Sequence, residues 1–135
     1  MIPKEIVNKM FQNDFFSQWL GITVESIEEG TCTLSMTIRK EMLNGFAIAH
    51  GGITYSLADS ALAFASNSHG RQSVSIDTSI NHFETLKEGD KILAVAKQEA
   101  LKNKFGFYTI EIKKENTVVA LFKGTVFRSD KEWEE

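Results

Sequence analysis

Hydrophobic residues along the chain repeat with two different periods, and the period changes twice. In residues 22–39 and again from residue 74 onward, apolar and polar residues alternate, which is typical of strands with one buried face. Residues 53–67 between them carry apolar residues at helical spacing. The predicted elements, in chain order, are helices over 3–10 and 15–20, strands over 22–29 and 31–39, a helix over 53–67, and strands over 74–83, 91–101, 105–114 and 117–128.

The order of these elements predicts the fold class. Two strands, one long helix and four further strands indicate an α+β architecture, in which a curved antiparallel sheet of about six strands wraps around one long central helix. A single sheet of this kind leaves an exposed edge that a second chain extends, so we expect at least a homodimer.

The domain organisation follows from length and local pattern. We expect residues 1–135 to form a single domain, with a flap of short helices over residues 1–20 and a solvated, frayed acidic tail over 130–135. Asn13 or Asp14 would cap the second short helix. Phe15, Phe16 and Trp19 in that helix would cover the hydrophobic core or, as the alternative, a pocket.

The predicted central helix is apolar on nearly every side. Ile53, Leu57, Ala61 and Phe64 form a stripe at helical spacing that should face the core. Asp59 is the only side chain in this helix that is charged at neutral pH, and it lies on the opposite face. A helix apolar nearly all round should be buried, so the carboxylate needs either a partner or a chemical role.

Two interpretations of Asp59 remain open at this point. It is a structural acid paired with Ser56 or with a backbone amide, or it belongs to a reactive site. The second interpretation uses the unpaired N–H groups at the helix start near Gly52, which form a partial positive pole able to hold an oxyanion. Asn44 and His50 on the preceding loop add hydrogen-bonding groups, and the set fits hydrolysis of an activated acyl group.

Composition narrows the function classes. The net charge is −3, with basic and acidic residues interspersed, so neither nucleic acid nor an anionic membrane is an expected partner. Cys32 is the single cysteine and falls in a strand pattern, which favours a buried structural thiol over a nucleophile. The sequence shows no signal-peptide pattern and no membrane span, and we expect a cytoplasmic protein. Scattered histidines without nearby ligands predict no metal site.

The stretch around the central helix resembles the hotdog-fold acyl-CoA thioesterases, and within them the subgroup of phenylacetic-acid degradation, the PaaI type. The resemblance covers almost the whole chain. It is carried by Asn44-Gly45, by His50-Gly51-Gly52, by Leu57-Ala58-Asp59, by Asn67-Ser68 and, more weakly, by the final strand from Ala120 to Val126. An HGG motif followed at this spacing by an acid is specific in such a fold, whereas HGG alone is not.

The resemblance implies roles for four residues. Asp59 would be the catalytic carboxylate, as nucleophile or as general base on water. The Gly52 amide would polarise the thioester carbonyl, and Asn44 would orient the water or the acyl carbonyl. His50 would support the loop and contact the thioester region. In such proteins the site lies between protomers, so Asp59 of one chain would face His50 and Gly52 of the other.

The resemblance also implies the partners. The substrate would be an acyl-CoA, no cofactor would be needed, and the assembly would be a homodimer at minimum and a homotetramer built as a dimer of dimers. We expect Gly51, Tyr55, Ser56, Phe46 and Lys104 to contact substrate. Arg71, Lys87 and Lys102, with Lys104, lie in or beside predicted turns and are candidates for holding the CoA phosphates.

Two other function classes compete with hydrolysis. A hotdog hydratase or dehydratase would use a His and an acid at the β-carbon of an acyl thioester, and His50 with Asp59 fits that description. A non-catalytic acyl-CoA-binding module would keep the pocket but has no need for an isolated buried carboxylate. Hydrolysis of a small or medium acyl-CoA is the favoured hypothesis.

Overall fold

The computed structural model describes all residues, from Met1 to Glu135. Its elements are helices α1 (Pro3–Gln12) and α2 (Phe15–Leu20), strands β1 (Thr23–Glu28) and β2 (Thr31–Thr37), a single 3₁₀ turn (Lys40–Met42), helix α3 (Gly51–Asn67), and strands β3 (Arg71–His82), β4 (Lys91–Lys102), β5 (Phe105–Lys114) and β6 (Thr117–Glu132). Each predicted helix and strand is present, with ends that differ by a few residues.

The six strands form one antiparallel sheet, which confirms the predicted architecture. The strand order is β1-β2-β4-β5-β6-β3, so β1 and β3 are the two edges. Helix α3 contacts all six strands and supplies the middle of the hydrophobic core. The predicted core stripe is correct, since Leu57, Ala61 and Phe64 are completely buried.

Helix α3 lies very close to the sheet at Gly124 in β6. A Cβ atom added at this glycine would lie 2.5 Å from Leu62 Cδ2, closer than real Cβ contacts allow. Leu62 is itself buried against the sheet. The absent side chain at Gly124 therefore sets the distance between α3 and β6, and with it the height of α3 above the sheet.

The two edges of the sheet differ in their protection. Strand β1 is short and carries exposed acids, a combination that discourages pairing with another chain. Strand β3 is twice as long, and its apolar side chains Val74 and Ile76 are 65% and 55% exposed. A β-bulge between Ser75 and Asp77 interrupts the simple alternation expected for this strand. The β3 edge is therefore long and unpaired, and it exposes two apolar side chains near its start.

The C-terminal segment is ordered, in contrast to the expected frayed tail. Strand β6 continues beyond residue 128 to Glu132, which pairs with Arg71. The Trp133 N–H donates to the Gly70 carbonyl (2.8 Å), and its indole Nε1–H donates to Asn67 Oδ1 (2.9 Å). The expectation was wrong for residues 130–133 because these contacts link residues that are far apart in the sequence.

The N-terminal helices lie against α3. Asp14 caps α2 by accepting from the Ser17 N–H (2.9 Å), and Gly21 ends it with φ of 76°. Ser17 Oγ lies 2.8 Å from Ser60 Oγ on α3. Phe15, Phe16 and Trp19 are exposed, so these three side chains do not cover the core; of the large apolar side chains in α2 only Leu20 does.

The close approach at Gly124 can be tested by substitution. Gly124→Ala should lower the free energy of unfolding by about 1–3 kcal/mol, because the added methyl group displaces the buried Leu62 side chain. Gly45→Ala is the matched control, since a Cβ there meets no atom within 4 Å. Denaturant titration of both variants measures the difference. Equal stability of Gly124→Ala and wild type would show that α3 tolerates a larger separation from β6.

Candidate active site

Helix α3 keeps one narrow stripe accessible. From residue 52 onward, the residues that are not buried are Gly52, Tyr55, Ser56, Asp59 and Ala63. They recur at spacings of three and four, so they lie on one face along the helix. The single charge of the helix therefore lies within its accessible stripe.

The Asp59 carboxylate is half-buried and has no partner within the chain. It makes no hydrogen bond and no salt bridge. The proposed pairing with Ser56 does not occur, since Ser56 Oγ donates to the Gly52 carbonyl at 2.7 Å. Burial raises the pKa of Asp59, and the negative charge of Asp14 raises it further. The interpretation of Asp59 as a paired structural acid is therefore wrong for the protomer.

Asp14 is the neighbour that the sequence did not connect with Asp59. It is held as the α2 N-cap, with Ser17 Oγ donating to Asp14 Oδ2 at 2.6 Å. Asp14 and Asp59 line one small cavity of about 190 Å³, together with Tyr55 and Ser56. The cap was predictable from its position before α2, whereas the approach of α2 to α3 brings together residues 45 positions apart.

His50 occupies the helix N-terminus in an unexpected way. It is the N-cap of α3, and its ring Nδ1 accepts a hydrogen bond from the Gly52 N–H at 2.9 Å. The expected unpaired amide at Gly52 is therefore capped inside the protomer. The Gly51 N–H precedes it in the helix and has no acceptor within the chain. A neutral imidazole that accepts at Nδ1 carries its proton on Nε2, which leaves a donor on the outer side of the ring.

Asn44 organises the loop that leads into α3. Its Oδ1 accepts from the Phe46 N–H (2.9 Å) and its backbone N–H donates to the Ile48 carbonyl (2.8 Å). Ala47 takes a φ of 60° within this tight loop. These contacts leave the side-chain amide Nδ2 of Asn44 without an acceptor in the chain, so it remains available to a ligand.

His82 is an exposed residue of β3 that lies beside the same helix start. Thr54 Oγ1 donates to the Gly51 carbonyl at 3.1 Å, so it accepts from His82 Nε2 at 2.6 Å. A Cβ at Gly51 would lie 3.4 Å from the His82 ring. His82, Asn44 and Gly51 line one cavity of about 200 Å³, which we call the Asn44 cavity.

A different cavity holds the other half of the loop motif. His50 and Gly52 line a space of about 320 Å³, the His50 cavity, together with Phe16 and Trp19 of α2. The two aromatic rings stack with centroids 6.0 Å apart. Of the two interpretations of this aromatic pair, a cover for a pocket fits the structure.

One protomer does not bring the four predicted catalytic residues together. Asp59 opens into neither the His50 cavity nor the Asn44 cavity. Gly52 and Asp59 are seven positions apart, which places them on nearly the same face of α3 but about 10 Å apart along its axis. One substrate carbonyl cannot touch both groups of the same chain.

Comparison with known proteins supplies the family. The model of the thioesterase superfamily matches residues 46–121, a segment that contains the HGG motif and Asp59. The chain belongs to the thioesterase superfamily. It is 38% identical over 120 residues to the acyl-coenzyme A thioesterase PaaI of Escherichia coli K12, an alignment that covers 88% of this chain and 86% of that protein.

Solved structures agree with this assignment. The structure of the E. coli PaaI protein from the phenylacetic acid degradation operon superposes with a TM-score of 0.93 at 34% identity, covering 96% of this chain and 95% of that one. The TT0310 protein from Thermus thermophilus gives a TM-score of 0.84 at 37% identity, covering 86% and 98%. This thioesterase therefore has the hotdog fold and resembles the PaaI type, as its motifs indicated.

The other residues of this thioesterase that were predicted to contact substrate lie in different surroundings. The Tyr55 hydroxyl contacts Thr78 Oγ1, so it anchors α3 to β3 as well as facing the small cavity beside Asp59. Phe46 is 85% exposed at the tip of its loop. Lys104 lies in the β4–β5 turn, and neither it nor Phe46 lines any of the cavities around α3.

The basic residues proposed for the CoA phosphates are not equivalent. Arg71 donates from Nε to the Ser129 carbonyl (2.8 Å) and lies 3.6 Å from an Asp130 carboxylate oxygen. These contacts hold it against β6, so it is a structural residue. Lys87, Lys102 and Lys104 are exposed in turns or at strand ends and remain candidates.

Other reactive groups of the thioesterase lie outside the site. Burial raises the pKa of Cys32 to about 12, so its thiol is not a nucleophile at neutral pH. The structure brings together no group of three or more His, Cys, Asp or Glu side chains suited to holding a metal ion. None of its helices is long and apolar enough to cross a lipid bilayer.

The unpartnered carboxylate predicts a pH-dependent stability difference. The folded-state pKa of Asp59 is raised, so its ionisation destabilises the folded protein as pH rises from 3.8 through that pKa, and the penalty is complete above it. Asp59→Asn should therefore have a higher free energy of unfolding than wild type at neutral pH, and the gain should disappear towards acidic pH. Urea titrations across this range measure it.

Two variants serve as controls for this prediction. Asp14→Asn should recover part of the gain, because asparagine keeps the N-cap acceptor while removing the charge beside Asp59. Glu28→Gln removes an exposed charge on β1 and should change little. An Asp59→Asn protein that is less stable than wild type at neutral pH would show that the carboxylate has a stabilising partner in solution.

Proposed function

We propose that the protein hydrolyses an acyl-CoA thioester to the free acid and CoA. The observation that supports this function most strongly is Asp59, a half-buried carboxylate without a partner on the single accessible face of α3. The similarity to an acyl-coenzyme A thioesterase over most of the chain supports the substrate class. A thioester carbonyl is already electrophilic, so one carboxylate and one set of oxyanion donors suffice.

The proposed chemistry has two versions, and both use ionised Asp59. As general base, Asp59 accepts a proton from water while the water oxygen bonds to the carbonyl carbon; the C–S bond then breaks and the thiolate of CoA receives the proton. As nucleophile, Asp59 first forms an acyl anhydride and releases the thiolate, and water then hydrolyses the anhydride. A general base works best with a pKa near the working pH, and burial moves Asp59 in that direction.

The oxyanion would bind at the N-terminus of α3. The positive end of a helix stabilises negative charge that develops on the carbonyl oxygen. Gly51 offers a free N–H at this end, whereas the Gly52 N–H becomes available only when the His50 ring turns away from it. In this mechanism His50 Nε2–H and the free Nδ2 of Asn44 complete the set of donors around the acyl group.

We further propose that two protomers share each site. Asp59 and the helix start lie about 10 Å apart within one chain, so the carboxylate acts on a carbonyl held by the other chain. The long unpaired edge of β3, with Val74 and Ile76 exposed on it, is suited to antiparallel pairing with a second copy of itself. A two-fold axis at that edge would set the two α3 helices side by side in opposite directions. The N-terminus of each helix would then lie beside the middle of the other.

The expected dimer of dimers has support on the outer face of the sheet. Phe105 and Phe107 are 42% and 38% exposed there, and Phe105 contacts Phe127 with ring centroids 6.3 Å apart. An exposed aromatic cluster of this kind is typical of an interface. We propose that these residues join two dimers into a homotetramer.

A substrate panel tests the proposed activity. Purified protein should release thiol from at least one of acetyl-, hexanoyl-, decanoyl-, benzoyl- and phenylacetyl-CoA, as detected with a thiol-reactive dye. Asp59→Ala and Asp59→Asn should each lower kcat/KM by about two or more orders of magnitude, because the base or nucleophile is lost. Glu28→Gln, an exposed carboxylate on β1, should retain wild-type activity.

The panel also separates the competing functions. Hydration of crotonyl-CoA without thiol release would contradict hydrolysis and favour a hydratase. Saturable binding of acyl-CoA esters with no turnover of any of them would favour a binding module. Unchanged thiol release by Asp59→Ala with an intact fold would remove Asp59 from the mechanism.

A further inference from the structure

A groove runs from Asp59 along the distal half of α3. Its walls are α3, the start of β3 and the end of β6, and its volume is about 320 Å³. Six of its twelve lining residues are hydrophobic (Met10, Leu62, Ala63, Val74, Val126 and Trp133), and the other six are polar or, in Asp59, charged. We call this space the Asp59 groove. It lies on the side of Asp59 away from the N-terminus of its own helix.

Two hydrogen bonds fix Trp133 in this groove, one from its backbone and one from its indole ring. Its N–H donates to the Gly70 carbonyl, and its indole N–H donates to Asn67 Oδ1 at 2.9 Å. Asn67 is itself buried and bonded to the backbone of Ser73, through its Oδ1 at 2.9 Å and its Nδ2 at 3.0 Å. The indole is therefore a rigid wall rather than a mobile surface side chain.

Helix α1 also borders the groove and contacts the C-terminal segment there. Met10 lines the groove from α1. One residue before it, Lys9 Nζ donates to the backbone carbonyl of Glu134, which ties α1 to the C-terminal segment. The N-terminal helix and the C-terminal residues therefore meet beside the groove.

The dimensions of the groove suit a medium-length chain. Asp59 and Asn67 are eight residues apart, which corresponds to about 12 Å along the helix. An extended chain covers about 3.3–3.6 Å for every three bonded backbone atoms, so roughly ten atoms fit in that length. The volume of about 320 Å³ is at the lower end of the range of about 300–1,000 Å³ that is usual for small-molecule sites.

We propose that the Asp59 groove binds the acyl chain of the substrate and that Trp133 sets the greatest chain length the enzyme accepts. This inference rests on the proposed function. The groove is continuous with the carboxylate that would attack the thioester or activate water, so an acyl chain that extends away from the reacting carbonyl enters it directly. The hydrophobic lining residues remove the methylene groups from water, and Trp133, held by Asn67 at the last residue of α3, stops a longer chain.

Chain-length profiles of two matched variants test the inference. Wild-type kcat/KM for straight-chain acyl-CoA esters should rise to about ten carbons and then fall, in line with the length of the groove. Trp133→Ala should raise the dodecanoyl-to-hexanoyl ratio of kcat/KM by about tenfold or more, since it opens the far end. Trp133→Phe loses the hydrogen bond to Asn67 but keeps most of the ring, and should retain the wild-type limit.

A second variant, which makes the groove narrower, keeps the inference testable if Trp133→Ala does not fold. Ala63 lies one turn beyond Asp59 on α3 and is partly accessible. Ala63→Leu should shorten the accepted chain while acetyl-CoA hydrolysis continues. Folded variants that hydrolyse acyl-CoA with an unchanged chain-length limit would overturn the role of the groove and leave the proposed function intact.

Binding without turnover gives an independent readout. The chain has two tryptophans, so Trp19→Phe leaves Trp133 as the only indole fluorophore. Decanoic acid should change the Trp133 emission saturably, whereas propionic acid at equal concentration should not. No change with decanoic acid would overturn the inference, even if the enzyme proved inactive on every ester tested.

Discussion

The structure depends on one half-buried negative charge that the chain itself leaves unpartnered. Asp59 lies in a helix that is packed against all six strands, and neither a hydrogen bond nor a cation offsets its desolvation. The negative charge of Asp14 acts on Asp59 as well and makes its charged form less favourable. Such an arrangement lowers stability, and proteins commonly place destabilising groups of this kind where function requires them.

The rest of the fold fixes the position of this charge. Gly124 allows α3 to approach β6 closely, and the buried stripe through Leu57 and Phe64 prevents the helix from rotating. The accessible stripe of α3 therefore has a fixed direction and faces the unprotected β3 edge rather than the short, acidic edge at β1. Its two reactive features, the helix start and Asp59, lie too far apart to serve one carbonyl within a chain. That spacing is the physical reason for placing the site between two protomers.

Local periodicity was enough to predict every helix and strand and the single charged position in α3. The sequence could not show which groups approach that position from elsewhere. Asp14 was one of two candidate caps for α2, but its electrostatic effect on Asp59 arises from the packing of α2 on α3. Trp133 appeared to belong to a frayed tail because its partners, Gly70 and Asn67, are more than 60 residues away. The capping of Gly52 by His50 depends on a side-chain rotamer, which periodicity does not encode.

Subunit complementation tests the shared site most directly. Asp59→Asn and His50→Ala each disable one half of the site, so each variant alone should be nearly inactive. When both are co-expressed under separate tags, random assembly should give heterodimers with one intact site, and the mixture should regain about a quarter of wild-type thioesterase activity. If the mixture stays as inactive as the single variants although heterodimers form, Asp59 does not act on the partner's helix terminus and the account of the site is wrong.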